Sequence, residues 1–449
     1  MQRHAVTPDA ADARNNARVN EKASSSWRLG FWSLIVTQFQ GAFSDNALKW
    51  LVSFLVLGMG LQKEKRELLF VLVVPLLFSI PFLLFSMTGG YLADRFSKRS
   101  VTIDLKVMEV AVMGLALVGL AAGNFLIAAG AIFLVSTQAA LFGPSKYGLL
   151  PELLPDDKLS WGNGILELTT LLAAICGTMA GGLLSSAFPG RQGWSGLIFI
   201  LLAAIGWTAS LGIARVPAAN PENKFRFNLA GDLWAQILEM RRDRLLWVAV
   251  AGNVYFWFLA SLLLLNIVLY ATDILGANDF HASALLATLT LGIGIGSFAA
   301  GYLSRGEIEY GLIPLGSIGI TVCCALLSRH HLGYTEVAAQ LGILGFFGGF
   351  FAVPINALIQ HRPAPDRRGG IIAAANLLSF VGIAFQPIAQ YLMIQLGHPN
   401  PEKVFLIASS LTLGVTISTA YLLPDSLQRL LIWLKLLPLE KVDARKSKI

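Results

Sequence analysis

The sequence predicts an all-α integral membrane protein whose twelve transmembrane helices form two six-helix bundles. Three observations carry that expectation. The 449 residues are 55% hydrophobic and only 14% charged, a balance that excludes an ordinary soluble enzyme. The apolar residues fall in twelve runs, each near the roughly 20 residues a helix needs to cross a hydrocarbon core of about 30 Å. A basic segment, residues 216–243, divides these runs six and six, and two matches relate the halves. Gly90 in GGYLADRFSKR is echoed 211 residues on by Gly301 in AGYLSRGEIEY. Pro144 and the pair Pro155, Asp156 return 210 residues on as Pro354 and the pair Pro365, Asp366. Two matches at nearly one displacement point to an internal duplication.

Taken in order, residues 1–28 are polar and read as a disordered cytoplasmic tail. They lack the apolar core of a cleaved signal, so the first helix is expected to be kept. The first bundle, 29–215, holds runs at 29–59, 67–94, 100–122, 124–150, 159–186 and 194–215. The cytoplasmic linker 216–243 follows. The second bundle, 244–424, holds runs at 244–272, 280–304, 310–328, 335–361, 369–396 and 402–424. Prolines inside these runs, such as Pro75, Pro81, Pro314 and Pro387, are tolerated where neighbouring helices satisfy the freed backbone groups. Residues 425–449 form an amphipathic helix and a basic tail. Leu427, Leu430, Leu431, Leu434 and Leu437 share one helical face, with Arg429 and Lys435 off it, as expected of a helix lying along the cytoplasmic interface.

Charge sets the orientation. Of the 34 Lys and Arg residues, 25 lie in segments on the side of the N-terminus, 6 in loops on the other side, and Lys49, Lys106 and Lys146 within runs. The positive-inside rule therefore puts both termini in the cytoplasm. The net charge of +7 follows from this bias, without the aromatic interleaving of a nucleic-acid surface. Cys176, Cys323 and Cys324 lie in apolar runs and read as small buried packing residues.

The first run carries the chemistry. QFQGAFSDNALKW, residues 38–50, sets Asp45, Asn46 and Lys49 in the middle of an apolar helix, where an ionised carboxylate costs roughly 2.5–3.5 kcal/mol at the bilayer centre unless it is compensated. Its candidate partners are Lys49, one turn on, and Lys146 from the fourth run. Glu167 in the fifth run adds a second acid. This set either balances itself as a buried salt bridge or holds a zwitterionic headgroup, Lys146 on the phosphate and Asp45 or Glu167 on the ammonium. Gln38, Asn46, Asn163 and Gln138 are its neutral lining or interhelical glue. The second bundle offers only neutral groups in its seventh, tenth and eleventh runs: Asn253, Asn266, Asn356, Gln360, Asn376 and Gln386.

GYLADRFSKR fits the pattern G-x-x-x-D-R-x-G-R-R of the loop between helices two and three in the major facilitator superfamily, with Ser97 at the second Gly. Gly90 would let two helices approach. Asp94, Arg95, Lys98 and Arg99 would latch the cytoplasmic side through ion pairs and helix-end contacts. In the second copy Arg305 replaces the acid. QFQGAFSDNALKW, GPSKYGLLPELLP (143–155) and NGILELTTLLAAICGTMAGG (163–182) together resemble the lysophospholipid transporters of that superfamily, a module found fused to an acyltransferase.

The resemblance implies movement of lysophospholipids, chiefly lysophosphatidylethanolamine, across the bacterial inner membrane for reacylation, with a separate acyltransferase or acyl carrier protein synthetase as partner. Some relatives carry an Arg in span seven, absent here from residues 245–272, so the headgroup grip falls to the first bundle. No cofactor is expected, and the residues select neither Na⁺ nor H⁺ as coupling ion. An exporter of amphipathic drugs and a non-transporting anchor for an acyltransferase are the rival readings. GIGIGS (292–297) and GTMAGG (177–182) sit in apolar runs and read as close helix packing rather than nucleotide loops.

Overall fold

The computed structural model describes residues 10–155, 158–218, 220–222, 229–304, 308–330, 332–364, 368–397 and 399–433. Among these the secondary structure is helical throughout. The first six helices are α1 (Ala10–Gly58), α2 (Lys63–Arg95), α3 (Lys98–Ala121), α4 (Phe125–Leu153), α5 (Leu159–Ala187) and α6 (Gly193–Leu211). Next comes α7 (Leu229–Arg242), inside the expected linker. The second set is α8 (Arg244–Asp273), α9 (Asp279–Ser304), α10 (Leu312–Leu327), α11 (Tyr334–His361), α12 (Arg368–Gly397) and α13 (Pro401–Leu422), closed by α14 (Pro424–Trp433).

Each of the twelve expected runs lies on one of these helices. Nine described helices are long and apolar enough to cross a membrane: α2, α4, α5, α6, α8, α9, α11, α12 and α13. The remaining three fall short for identifiable reasons. Polar residues from Gln38 to Lys49 interrupt α1, α3 carries Asp104, Lys106 and Glu109, and α10 is a short apolar helix of 16 residues. Helix α1 also starts at Ala10, ahead of the apolar run that begins at Leu29.

Local chemistry explains the irregularities. Pro75 has no amide to offer the Val71 carbonyl, and the chain answers with a π turn over Leu68–Val73 before α helix resumes. Asn124 caps α4 by accepting from the Leu126 and Ile127 amides at 3.0 and 3.3 Å. Pro144 and Pro354, related in sequence, lie inside the corresponding helices α4 and α11. The other halves of that repeat, Asp156, Arg305, Pro365 and Asp366, lie outside the described residues.

Helices α1–α6 pack around two apolar cores, and α8–α13 around another two. The largest core joins the sets: Trp50, Phe54 and Val56 of α1 and Phe70 and Val71 of α2 pack with the Leu262–Ala271 stretch of α8 and the start of α9. Around this seal Arg66 pairs with Asp273 at 3.4 Å, and the Ser185 hydroxyl donates to Asp279 Oδ2 at 2.6 Å. A Cβ on Gly182 would lie 2.5 Å from the Asp279 carbonyl oxygen, so this glycine permits α5 to meet α9. Contact between the two helices continues to Leu171 and Gly294, and beyond it Glu167 and Asn163 on α5 are exposed.

The glycines of GIGIGS pack as expected, Gly292 and Gly296 lying against the Gly342 and Phe346 carbonyls of α11. One expectation is corrected. Cys176 is exposed, while Cys323 and Cys324 are buried. Helix α14 also docks on protein, since Leu430 is buried and Arg429 pairs with Glu309 at 3.9 Å, over the Tyr310 ring. Residues 434–449 lie outside the described chain.

Candidate functional site

At 100° per residue, the polar residues of α1 are dealt to different faces. Gln40 and Ser44 point into the first bundle and meet a pair the sequence reading passed over: Lys106 and Glu109, one turn apart on α3 and both fully buried. Lys106 Nζ donates to Glu109 Oε2 at 2.6 Å and to Gln40 Oε1 at 2.9 Å. Gln40 Nε2 returns a bond to Glu109 Oε1 at 2.8 Å, and Gln138 donates to Oε2 at 3.3 Å. Two glycines make the room. A Cβ on Gly41 would lie 2.8 Å from Lys106 Nζ, and one on Gly206 would fall 1.8 Å from Gln40 Oε1. Lys-x-x-Glu in an apolar helix was the signal, because i,i+3 residues share a face.

Asp45 is 9% exposed, and its Oδ1 accepts no hydrogen bond. It sits in the fields of Glu109, Lys106, Lys49 and Lys146 without a direct ion pair to any of them. The expected pairings with Lys49 and Lys146 are therefore corrected to longer-range ones. Lys49 Nζ instead donates to Asn46 Oδ1 at 3.3 Å and lies 4.3 Å from the Phe78 ring centre. Asn46 spends its amide on the Ala42 carbonyl at 2.8 Å.

The other expected site residues divide. Lys146 is half-buried over the Tyr147 ring, 4.6 Å from its centre, and the Tyr147 hydroxyl donates to Glu167 Oε1 at 2.9 Å. Asp45, Lys146 and Glu167 thus lie within one electrostatic neighbourhood. Gln38 is instead an interhelical tie: it donates to Thr169 Oγ1 at 2.7 Å and accepts from Thr170 at 3.0 Å. Asn163 is exposed on α5, one turn before Glu167. Gln138 belongs to the Glu109 cluster. In the second bundle Asn253 bonds Ser379, Asn266 the Pro401 carbonyl, and Gln386 accepts from Ser261, all between helices.

The motif between α2 and α3 is tied within its own half. Lys98 pairs with Glu152 at the end of α4. Arg99 donates to the Ile213 and Leu211 carbonyls at 2.7 and 3.1 Å, where a helix end favours a cation. Ser97 donates to Val216 O at 2.7 Å, and the Asp94 carbonyl accepts from the Asn220 amide at 2.8 Å. The Asp94 carboxylate is exposed, and Arg95 reaches its own helix at Tyr91. The close approach expected at Gly90 occurs at Gly89, where a Cβ would lie 2.8 Å from the Leu141 carbonyl oxygen. Gly90, rotated by one residue, faces open space.

In the second half Asp243 caps α8 through the Leu245 and Leu246 amides and binds Arg362 Nε at 2.6 Å, joining α8 to the end of α11. Partial burial raises its carboxyl, but the Arg362 and backbone hydrogen bonds outweigh this and hold it below the ordinary carboxylate range.

Paired helical halves, sealed against each other at one end and carrying Asp45, Lys146 and Glu167 in one neighbourhood of α1, α4 and α5, fit a membrane carrier. The chain belongs to the Major Facilitator Superfamily, whose family model matches residues 67–387. It is 30% identical over 361 residues to proteins named Lysophospholipid transporter LplT from Salmonella paratyphi A and Salmonella typhi, covering 79% of this chain and 85% of theirs. Among solved structures it is similar to a POT family transporter in complex with 5-aminolevulinic acid, with a TM-score of 0.69 and 13% identity, over 88% of this chain and 96% of that one. A bacterial homolog of the human lysosomal transporter Spinster, in an inward-facing and unoccupied conformation, gives 0.63 at 13% identity, over 91% and 96%.

Proposed function

We propose that this protein moves lysophospholipids, chiefly lysophosphatidylethanolamine, across a bacterial inner membrane by alternating access, with twelve spans and both termini in the cytoplasm. The observation that carries the reading is an asymmetry. Asp45, Lys146 and Glu167 all lie on the first half, while the facing half spends its buried amides on its own helices. A lysolipid divides in the same way, a zwitterionic head suiting the charges and one chain suiting the apolar wall. The similarity to lysophospholipid transporters supports it independently. With the positive-inside orientation, the seal at Arg66–Asp273 and Ser185–Asp279 faces outward, and the site opens toward the cytoplasm.

Reconstitution into proteoliposomes tests the reading. Alanine at Asp45, Lys146 or Glu167 is expected to abolish lysolipid movement while leaving the protein in the membrane. Normal movement by all three variants defeats it, and block by lipophilic cations but not by lysolipid favours a drug exporter.

A further inference from the structure

Lys49 has no assigned part in that reading, and its surroundings are unusual for a cation in a membrane-spanning helix. It shares the half-buried face of α1 with Ala42 and Asn46, opposite the fully buried Leu48 and Leu51. Lys98 and Lys106 each hold a carboxylate. Lys49 holds none among the described residues: its Nζ meets one neutral acceptor, Asn46 Oδ1 at 3.3 Å, and the rings of Phe78 at 4.3 Å and Trp50 at 5.3 Å. An ammonium has three donors. Rings and a single amide orient it, and Asp45 reaches it only at longer range without a direct ion pair, so an anion brought there would gain a charge-assisted bond in a medium of low dielectric.

Position adds to this. Lys49 lies four residues beyond Asp45 toward the seal, about 6 Å along the helix, whereas Glu167 is exposed beyond the α5–α9 contact at Leu171 and Gly294. Beside it Phe78 leads to Phe82, at 5.6 Å between centroids, and Phe82 stacks on Phe380 of α12 at 4.6 Å and 7°. That aromatic row crosses between the halves next to the ammonium and offers an apolar wall for a chain. We infer that Lys49 is a phosphate-binding residue of the transport site, taking the phosphodiester of a single-chain lipid on the side of that site nearer the seal, with Asp45 beside it for the lipid's cation. Lys146 then meets the phosphate nearer the open end. This inference rests on the lysolipid reading and names the group that reads the phosphate.

The test is binding to the purified full chain in detergent, comparing lysophosphatidylethanolamine with monoacylglycerol of the same chain, which lacks the phosphate. Lys49→Met keeps the length and apolar contacts of the stem, and Lys49→Arg keeps the charge. Lys49→Met should weaken lysolipid binding by roughly tenfold or more, the worth of one charge-assisted hydrogen bond. It should change monoacylglycerol binding by less than about twofold, and Lys49→Arg should recover most of the loss. If the Met variant does not fold, Lys49→Gln serves the same comparison. A variant that keeps the wild-type preference for the lysolipid overturns this inference alone. Wild-type protein that prefers neither lipid overturns the lysolipid reading with it. Equal competition by glycerophosphoethanolamine, the same head without a chain, shows a soluble phosphodiester as ligand and overturns the lipid assignment.

Discussion

Lys106 and Glu109 are the charged side chains with no exposure at all among the described residues, and every contact around them works to make that tolerable. Gln40 binds both partners at once, and Gln138 adds a further donor to the carboxylate. Removing one member strands the other in low dielectric, which costs about 3–5 kcal/mol, whereas removing both leaves only neutral amides to reorganise. Lys106→Met and Glu109→Leu are each expected to lower the melting temperature in detergent more than the double variant does. Additive losses would show that the pair is not coupled. Asp45 was legible in the sequence as a charge needing compensation. Lys49 and Lys146 were legible as charges near it, but Lys106 and Glu109 of α3 were not, and only the packing of three helices decides whether a lysine four residues away turns toward the carboxylate or, as here, toward Asn46 and Phe78.

Helix ends and helix contacts carry the next level. Asp243 begins α8 and holds the end of α11 through Arg362. Asp243→Ala loses both cap and ion pair, a cost of about 1 kcal/mol for the cap. Asp243→Asn still caps and so isolates the charge. The folded carboxyl lies below its ordinary value, so its contribution is fully present above about pH 3.9 and is lost as pH falls through the folded value. The melting difference between wild type and Asp243→Asn should therefore stay constant from neutral pH down to about pH 5 and shrink below about pH 4. A difference that grows on acidification reverses the sign and removes Arg362 as the cause. The twelve apolar runs were legible because length and hydropathy are local properties. Helix α7 was passed over although Leu233, Trp234, Ile237 and Leu238 recur there at helical spacing, and the contact at Gly89 rather than Gly90 turns on a rotation of one residue.

For the whole molecule, alternating access requires that the seal break each cycle. The seal is mostly apolar, with Trp50, Phe54 and Phe70 sharing one core with residues of α8, and two polar ties, Arg66–Asp273 and Ser185–Asp279, mark its rim. A bulky residue at Gly182 has no space against the Asp279 backbone, so Gly182→Val should hold this end apart and raise labelling of Ser185→Cys by an impermeant maleimide. The reverse intervention is more decisive. Ser185 and Asp279 already meet at 2.6 Å between side-chain oxygens. With the native cysteines replaced, cysteines at both positions should cross-link under oxidation, stop the proposed lysolipid movement and release it on reduction. The two treatments act oppositely on one surface: one keeps this end from closing, the other from opening, and each should halt transport while leaving the protein folded. Undiminished movement by the cross-linked protein would mean that the halves do not separate here. The seal would then be a fixed part of the fold, and α5 and α9 would move, if at all, only beyond Leu171 and Gly294, at the end where Glu167 is exposed.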